Sequence, residues 1–440
     1  MTTSGSELAG FIEGVTLSDV PPAVRRRVGL LLTDMAAVCI GGRRAPTSLI
    51  AAEHAGVLGR GDEATALLDG RRLGATGAAW ANGVLANALD FDDGHRLTKG
   101  HPGAVVIPAA LAAAQLADAD ADELLVAIIV GYEVAIRAGI ALHARDDSYH
   151  ASGAWGGLGA AAATARLLGL DAAQTLTALG LAEYHAPIAP IMRCCADPAM
   201  TKDACAWGAF VGVSSALLAS GGFTSVRSEF ALGPVGSLGS RWCIEDLYVK
   251  AYPCCRWSHG AIAAALEASA GLPAGAPPAA AVERVRIRTF AAADGLATVV
   301  PATTEEAQYN LVWPVACALA RGRFGVEEVL GPFDEPAVAA LHRRVEVVVD
   351  AEFTAAFPAR RLTAVELVLA DGRVLEAGPL EAPGEPDDPE WEAIVARKHA
   401  QLIDGGRDLE PTAPGAGLRE LGAPELLGLL CDAGAVASGA

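Results

Sequence analysis

Positive charge is in short supply in this sequence. Its 440 residues hold 33 Lys and Arg against 52 Asp and Glu, a formal net charge of −19. Affinity for nucleic acid or an anionic membrane surface comes mainly from Lys and Arg, so this balance argues against both as partners. An anionic ligand would need a locally cationic pocket. Charge of either sign is sparse, 19% of residues against 52% apolar, a composition too hydrophobic for a disordered chain. Metal-ligating cysteine spacing is also missing. Among nine cysteines, Cys194-Cys195 and Cys254-Cys255 are adjacent pairs, poorly suited to zinc and expected to pack in the core as reduced thiols. The opening MTTSGSELAGFIEGV has no basic segment followed by an apolar one, so no export signal is read and a cytoplasmic location is expected.

What is present is length and alanine. A single hydrophobic core stops growing at roughly 250 to 300 residues, so two domains are expected. One uncharged run, residues 204–226, is long enough to cross a bilayer. It is built from Ala, Gly and Ser and ends in Gly221-Gly222, so it reads as a central helix buried on all sides.

Up to about residue 265 the period is helical. Residues 21–42 open with prolines and close on Gly41-Gly42, as a helix start and stop would. Residues 121–144 put Leu125, Ile128, Ile129, Tyr132 and Ile136 on one stripe. Asp171 is a candidate N-cap, and the abundance of Ala and Gly allows close helix approach. No strand pattern interrupts this region, which implies an all-helical domain over 1–268.

After the Pro- and Gly-rich stretch 271–281 the period becomes two. VERVRIRTF alternates Val285, Ile287 and Thr289 with Arg284, Arg286 and Arg288, and RRVEVVVD reads as a second strand. TAVELVLADGRVLEAG reads as a hairpin with a type I′ turn at Asp371-Gly372. From about 390 the helical period returns, with DDPEWEAIVARK read as a solvated helix start. The expected fold is mainly α: a large all-helical domain, an inserted smaller α+β domain over 269–388, and a segment 389–440 rejoining the helical domain.

The scarce charged residues gather at helix mouths. Residues 88–114 hold Asp90, Asp92, Asp93, His95, Arg96, Lys99 and His101, followed by an uncharged helix in which Pro108 suits the first turn. If helical, Asp90 and Asp93 share a face. Backbone N–H groups at the following helix start suit a carboxylate ligand, with Arg96, Lys99 and His101 beside it. Three more clusters follow the same plan: His150 before a glycine-rich helix, Lys202 before the long uncharged one, and Arg256 with His259 in YPCCRWSHG. Burial at such mouths moves pKa values toward neutrality, which acid–base catalysis requires.

At these residues the chain resembles the MmgE/PrpD family of dehydratases, decarboxylases and epimerases. The resemblance runs through LDFDDGH…GHPGAVVIPAALA, MTKD, YPCCRWSHG and AQYNLVWPVACAL (307–319). It implies a helical domain with an α+β lid, a homodimer, no cofactor, no metal, and a small di- or tricarboxylic acid as substrate. Carried over by motif, the catalytic group is Asp90, His101, His150, Lys202 and His259, with Asp93, Arg96, Lys99, Arg256 and Trp313 expected to bind substrate. Gly94 stands where decarboxylating members often carry threonine, and Trp313 is read in place of an aromatic hydroxyl from the lid motif. Dehydration is therefore the expected reaction, with decarboxylation or epimerisation as alternatives.

All three share proton transfer beside a carboxylate, with fixed positive charge stabilising the enediolate. Lys202 and Arg256 would supply that charge, and a neutral His101 or His150 would act as base. Two other classes compete. Asp90, Asp92, Asp93 and His95 resemble an aspartate-rich Mg²⁺ motif, although Arg96 takes the place of its third aspartate. A helical binding or scaffold protein without catalysis would carry the same composition.

Overall fold

Alanine and glycine set how closely the helices of this protein approach. In the computed structural model, which describes residues 3–146, 148–231 and 235–402, helix Ala121–Arg145 packs against helix Gly153–Leu167. A Cβ on Gly159 would lie 2.2 Å from the Gly131 carbonyl oxygen. Helix Cys205–Ser220 packs on Gly153–Leu167 as well, and a Cβ on Gly212 would stand 2.3 Å from Ala160 Cβ. Larger side chains would force these backbones apart, so the small residues decide the layer spacing.

The helix boundaries follow local chemistry. The Asp171 carboxylate accepts from the N–H groups of Ala173 and Gln174, both at 2.9 Å, and Gln174 bonds back to the Asp171 N–H, closing a capping box. Asp120 caps Ala121–Arg145 through Glu123 N–H at 2.9 Å. Helix Pro22–Gly42 begins at its proline and ends at the glycine pair.

Several expectations need correction. Helix Gly103–Ala117 starts five residues before Pro108, which therefore lies in its interior. Helix Cys205–Ser220 is not buried on all sides, because Trp207 and Leu218 are 45% and 44% exposed. The Ala121–Arg145 stripe is wider than one face: Leu124, Val126 and Val130 are buried as well. This helix is long and apolar enough to cross a membrane, yet 83% of its apolar window is buried inside the protein, as a core helix requires. The helical part also contains strands that no period-two pattern announces, since Gly94–His95 pairs antiparallel with Leu247–Tyr248. Two residues are too few to show alternation.

Beyond Arg256–Ser269 lies a four-stranded sheet in the order 345–349, 282–289, 363–369, 374–380. The first pair is parallel and the other two antiparallel. Val285, Ile287 and Thr289 are buried while Arg284, Arg286 and Arg288 are not, so the strand has one wet face as expected. The hairpin turn differs from type I′, which needs two residues at positive φ. Only Gly372 (φ 86°) takes that conformation, and Gly372 N–H donates to the Leu369 carbonyl.

Helix Trp391–Leu402 packs against Pro22–Gly42. Its start is not simply solvated: Trp391 is buried, and its Nε1–H donates to the Leu247 carbonyl at 3.1 Å. Lys398, also buried, pairs with Asp34 at 2.6 Å and donates to the Phe91 carbonyl at 2.7 Å. The rest of the expected C-terminal segment, 403–440, lies outside the described residues.

Among the described residues two large hydrophobic cores result, beside a small cluster around Leu170 and Leu181. Leu85 and Ala86 belong to the helical one, whereas Ala88, Leu89 and Phe91 belong to the one that includes the sheet. The aspartate-rich loop thus runs along the seam between them.

Candidate active site

Helix Ala75–Asn87 ends before the aspartates, and Asp90 takes positive φ (49°), so Asp90 and Asp93 do not share a helix face. Among the described residues five non-glycine positions have positive φ: Asp90, Lys99, Asp118, Lys202 and Ala204. Asp118 caps a helix, whereas the other four border one pocket or immediately adjoin a residue that does. Such strain persists only where surrounding contacts hold it, and it concentrates at functional sites.

Four of the loop's seven acidic and basic groups, Asp92, Asp93, His95 and Arg96, have separate partners. Asp93 accepts from Gly103 N–H at 3.0 Å and from the Tyr132 hydroxyl at 2.5 Å. The start of helix Gly103–Ala117 is therefore bound by the protein's own carboxylate rather than left for a ligand. Burial, reinforced by the nearby Asp92 charge, raises the Asp93 pKa to about 7. Burial opposes the charge on Asp92 too, but His101, through charge and hydrogen bond, together with Lys250 and the Asn87 amide, outweighs it and lowers the pKa to about 2. His95 is buried, its pKa falls to about 4, and its Nδ1 accepts from Thr98 N–H. Arg96 extends to the rim, pairing with Glu385 at 2.8 Å and donating to the Ala359 carbonyl. Asp90, Asp92, Asp93 and His95 consequently do not converge on one point, as the aspartate-rich Mg²⁺ motif requires.

The pocket is lined by Asp90, Lys99, His101, Asp203, Tyr248, Lys250, Arg256, Tyr309 and Arg361, with Tyr149, Cys195, Cys255 and Trp257 among the flanking groups. His101 Nδ1–H donates to the Asp93 carbonyl at 2.8 Å, with Asp92 Oδ2 at 3.3 Å, which turns Nε2 toward Asp90 Oδ1 at 3.4 Å. Burial and the Lys250 ammonium both oppose a charged imidazole. The fields of Asp92 and Asp203 prevail, however, and hold the His101 pKa well above its usual value. His101 is accordingly an acid at neutral pH, not the neutral base expected from the motif.

Lys250, which the sequence reading passed over, stands 2.7 Å from Asp90 Oδ1 and donates to the Asp90 carbonyl at 2.7 Å. Burial lowers its pKa, but the Asp90 and Asp92 charges more than compensate and keep it protonated. The Gly94–His95 pairing with Leu247–Tyr248 brings it there. Asp203 accepts from Ser152 Oγ at 3.1 Å and from the Tyr309 hydroxyl at 3.2 Å. Ser152 Oγ in turn accepts the His101 N–H at 2.8 Å. Arg256 lies 4.5 Å over the Tyr248 ring and pairs with Glu385 at 3.0 Å.

Of the predicted residues, Asp90, Lys99, His101 and Arg256 line this pocket. Lys202 is buried with its ammonium bonded to the Asn87 carbonyl and to Gln308 Oε1, so it joins two chain segments. His150 is buried beside His143, ring centroids 5.7 Å apart, and 3.6 Å from Asp146. His259 is a core histidine whose Nε2–H donates to the Cys254 carbonyl at 3.2 Å, and burial pushes its pKa well below normal. Trp313 is buried with its Nε1–H on the Glu328 carbonyl. The aromatic hydroxyl of that motif is Tyr309, so the reading of Trp313 as its replacement is corrected. The Cys255 thiol is raised to about 12 by burial, and burial likewise raises Cys195. Neither is a ready nucleophile.

Asp90, His101 and Asp203 present ligand atoms within 4.8 Å of one another, the arrangement best able to hold a cation. The donor set fits one poorly, because Lys250 already neutralises Asp90 and His101 carries a proton.

Four cationic side chains and a protonated imidazole around two carboxylates make a pocket for a small anion with an acid in reach, carried on a mainly helical scaffold. The chain belongs to the MmgE/PrpD family. Residues 6–238 match its N-terminal domain and residues 252–410 its C-terminal domain. Curated relatives include a cis-aconitate decarboxylase-like protein of Aspergillus oryzae, 28% identical over 291 residues, covering 59% of this chain and 60% of the relative. The cis-aconitate decarboxylase of Aspergillus terreus is 26% identical over 289 residues, 59% of each chain. That of Mus musculus is 31% identical over 194 residues, 41% of this chain and 39% of its own. The chain spans at most about three fifths of the length of these relatives.

Proposed function

We propose that this protein is a cofactor-independent lyase that removes CO2 from a small unsaturated polycarboxylate of the cis-aconitate type. The supporting observation is that His101, the imidazole lining the pocket, stands 3.4 Å from Asp90 and 3.3 Å from Asp92, and the charges of Asp92 and Asp203 favour its protonated form. Decarboxylation needs an acid and no base. The C–C bond to one carboxylate breaks, CO2 departs, and the electron pair passes to the conjugated carbanion. The Lys250 ammonium stabilises that charge, and His101 Nε2 delivers the proton that completes the new C–H bond. His101 then regains its proton from solvent. The names of the relatives support the same substrate class.

Dehydration, the reaction expected from the motifs, needs a base as well as an acid, and Asp203 is the pocket carboxylate suited to that part. The two reactions separate in one experiment. Purified protein is offered cis-aconitate, citrate, methylcitrate and malate in D2O, with products followed by NMR and CO2 measured independently. Decarboxylation gives CO2 and one carbon-bound deuterium per turnover. Water loss or addition without CO2 would replace this reading by a dehydratase, and inertness toward every acid would end both.

A further inference from the structure

The cationic groups of the pocket are not equivalent. Lys250 pairs with Asp90, His101 is held by the Asp93 carbonyl and the aspartates, and Lys99 lies 4.1 Å over the Tyr149 ring. Arg256 is held through both terminal nitrogens, by the carbonyls of Val249, Ala382 and Pro383 and by the Glu385 carboxylate, and only its Nε lacks a partner. Arg361 differs. It lines the pocket, is only 7% exposed, and its Nε is buried without a hydrogen-bond partner. Glu385 is the acid whose field it shares, but that carboxylate is taken by Arg256 through Oε1 and by Arg96 through Oε2. The Glu381 carboxylate is taken by Arg360 Nε at 3.2 Å and meets Arg361 only through its backbone N–H, at 3.4 Å.

A guanidinium this buried is costly to leave without an acceptor, and its planar fork matches one group above others, a carboxylate taken in two parallel hydrogen bonds. Given the lyase reading above, on which this rests, we infer that Arg361 is the specificity residue that holds a carboxylate of the substrate other than the one being lost. It enters from the chain just ahead of strand Thr363–Leu369, whereas Asp90, His101 and Lys250 come from the loops around the helices. A substrate with a single carboxylate cannot satisfy both groups. The site therefore selects di- and tricarboxylates, and Arg361 sets their affinity rather than the chemical step.

Titration calorimetry with tricarballylate, a saturated tricarboxylate, tests this in wild type, Arg361→Gln and Arg361→Lys, beside steady-state kinetics on cis-aconitate. A charge-assisted bidentate contact corresponds to roughly ten- to a hundredfold in affinity. Arg361→Gln is expected to lose that much tricarballylate affinity and to raise KM similarly, with kcat and its pH profile little changed. Arg361→Lys, which keeps the charge without the fork, should fall between the two. It also decides the matter if the glutamine variant does not fold. Wild-type affinity in a folded Arg361→Gln, or in Arg361→Lys, overturns the assignment while leaving the lyase reading intact. Failure of wild type to bind any polycarboxylate overturns both.

Discussion

Gly94 and Tyr248 occupy one space: a Cβ on Gly94 would lie 2.3 Å from both Cζ and the hydroxyl oxygen of the tyrosine. The position at which related decarboxylases often carry a threonine is thus filled from a different strand. The missing side chain leaves room for a phenol that lines the pocket and stacks beneath Arg256. Introducing Gly94→Thr should displace Tyr248 and destabilise the fold by about 1–3 kcal/mol, the usual cost of overpacking. Combining it with Tyr248→Leu should recover part of that loss, as denaturant titration of the single and double variants will reveal. Full additivity would show that the two residues do not compete for the space.

In the proposed decarboxylation His101 is the proton donor, which fixes the direction of its pH effect. Its folded pKa is raised, so the active protonated form persists through neutrality and is lost as pH rises through that value. The expected profile of kcat/KM is flat from about pH 6 to 7 with a fall on the alkaline side, whereas a neutral histidine base would give a rise across about pH 6.5. His101→Gln should reduce kcat by roughly a hundred- to ten-thousandfold and abolish the alkaline limb.

Asp92 gives the opposite sign in stability. Its folded pKa is depressed to about 2, so its contribution is present above the unfolded carboxylate value of about 4 and disappears as pH falls toward 2. The Asp92→Asn variant should be less stable at neutral pH and lose less stability than wild type between about pH 4 and 2. Parallel acid-unfolding curves would refute this.

The two buried lysines of the region should respond differently to methionine. Lys250→Met leaves the Asp90 and Asp92 charges without their cation and is expected to cost about 3–5 kcal/mol, partly recovered by adding Asp90→Asn. Lys202→Met removes a donor from two uncharged acceptors, the Asn87 carbonyl and Gln308 Oε1, at about 1–3 kcal/mol. Tricarballylate affinity should fall more than tenfold in the first and less than threefold in the second. Equal losses would return Lys202 to the pocket.

What the sequence disclosed and what it withheld have physical causes. Helix and strand periods were plain because they average over many residues, as in 282–289 with its alternating arginines. Motif residues Asp90, His101 and Arg256 were visible as rare charges in an apolar chain. Lys250 carried a weaker signal, a lone charge within the buried run Leu247, Tyr248, Val249. Arg361 carried none, since Arg360-Arg361 looks like any surface loop and only tertiary packing buries the second of them. The sequence does not fix helix phase at Trp313 and Tyr309: the helix starts at Val312, which turns Trp313 into the core and leaves Tyr309 on the turn before it. The protonation state of His101 depends on Asp203, a hundred residues away, and no local pattern reveals a field.

The bond from Lys398 to the Phe91 carbonyl also sets a timetable. Its partners are 307 positions apart, so the aspartate loop obtains this donor only after nearly all of the described chain has been translated. At about 5–20 residues per second that is roughly 15–60 s after Phe91 leaves the peptidyl-transferase centre. The helices between 103 and 220 can pack during that interval, but the seam cannot close. On the ribosome, competence for chemistry is therefore among the last properties the protein acquires, and a nascent chain halted before residue 398 would carry a folded helical core around an unfinished pocket.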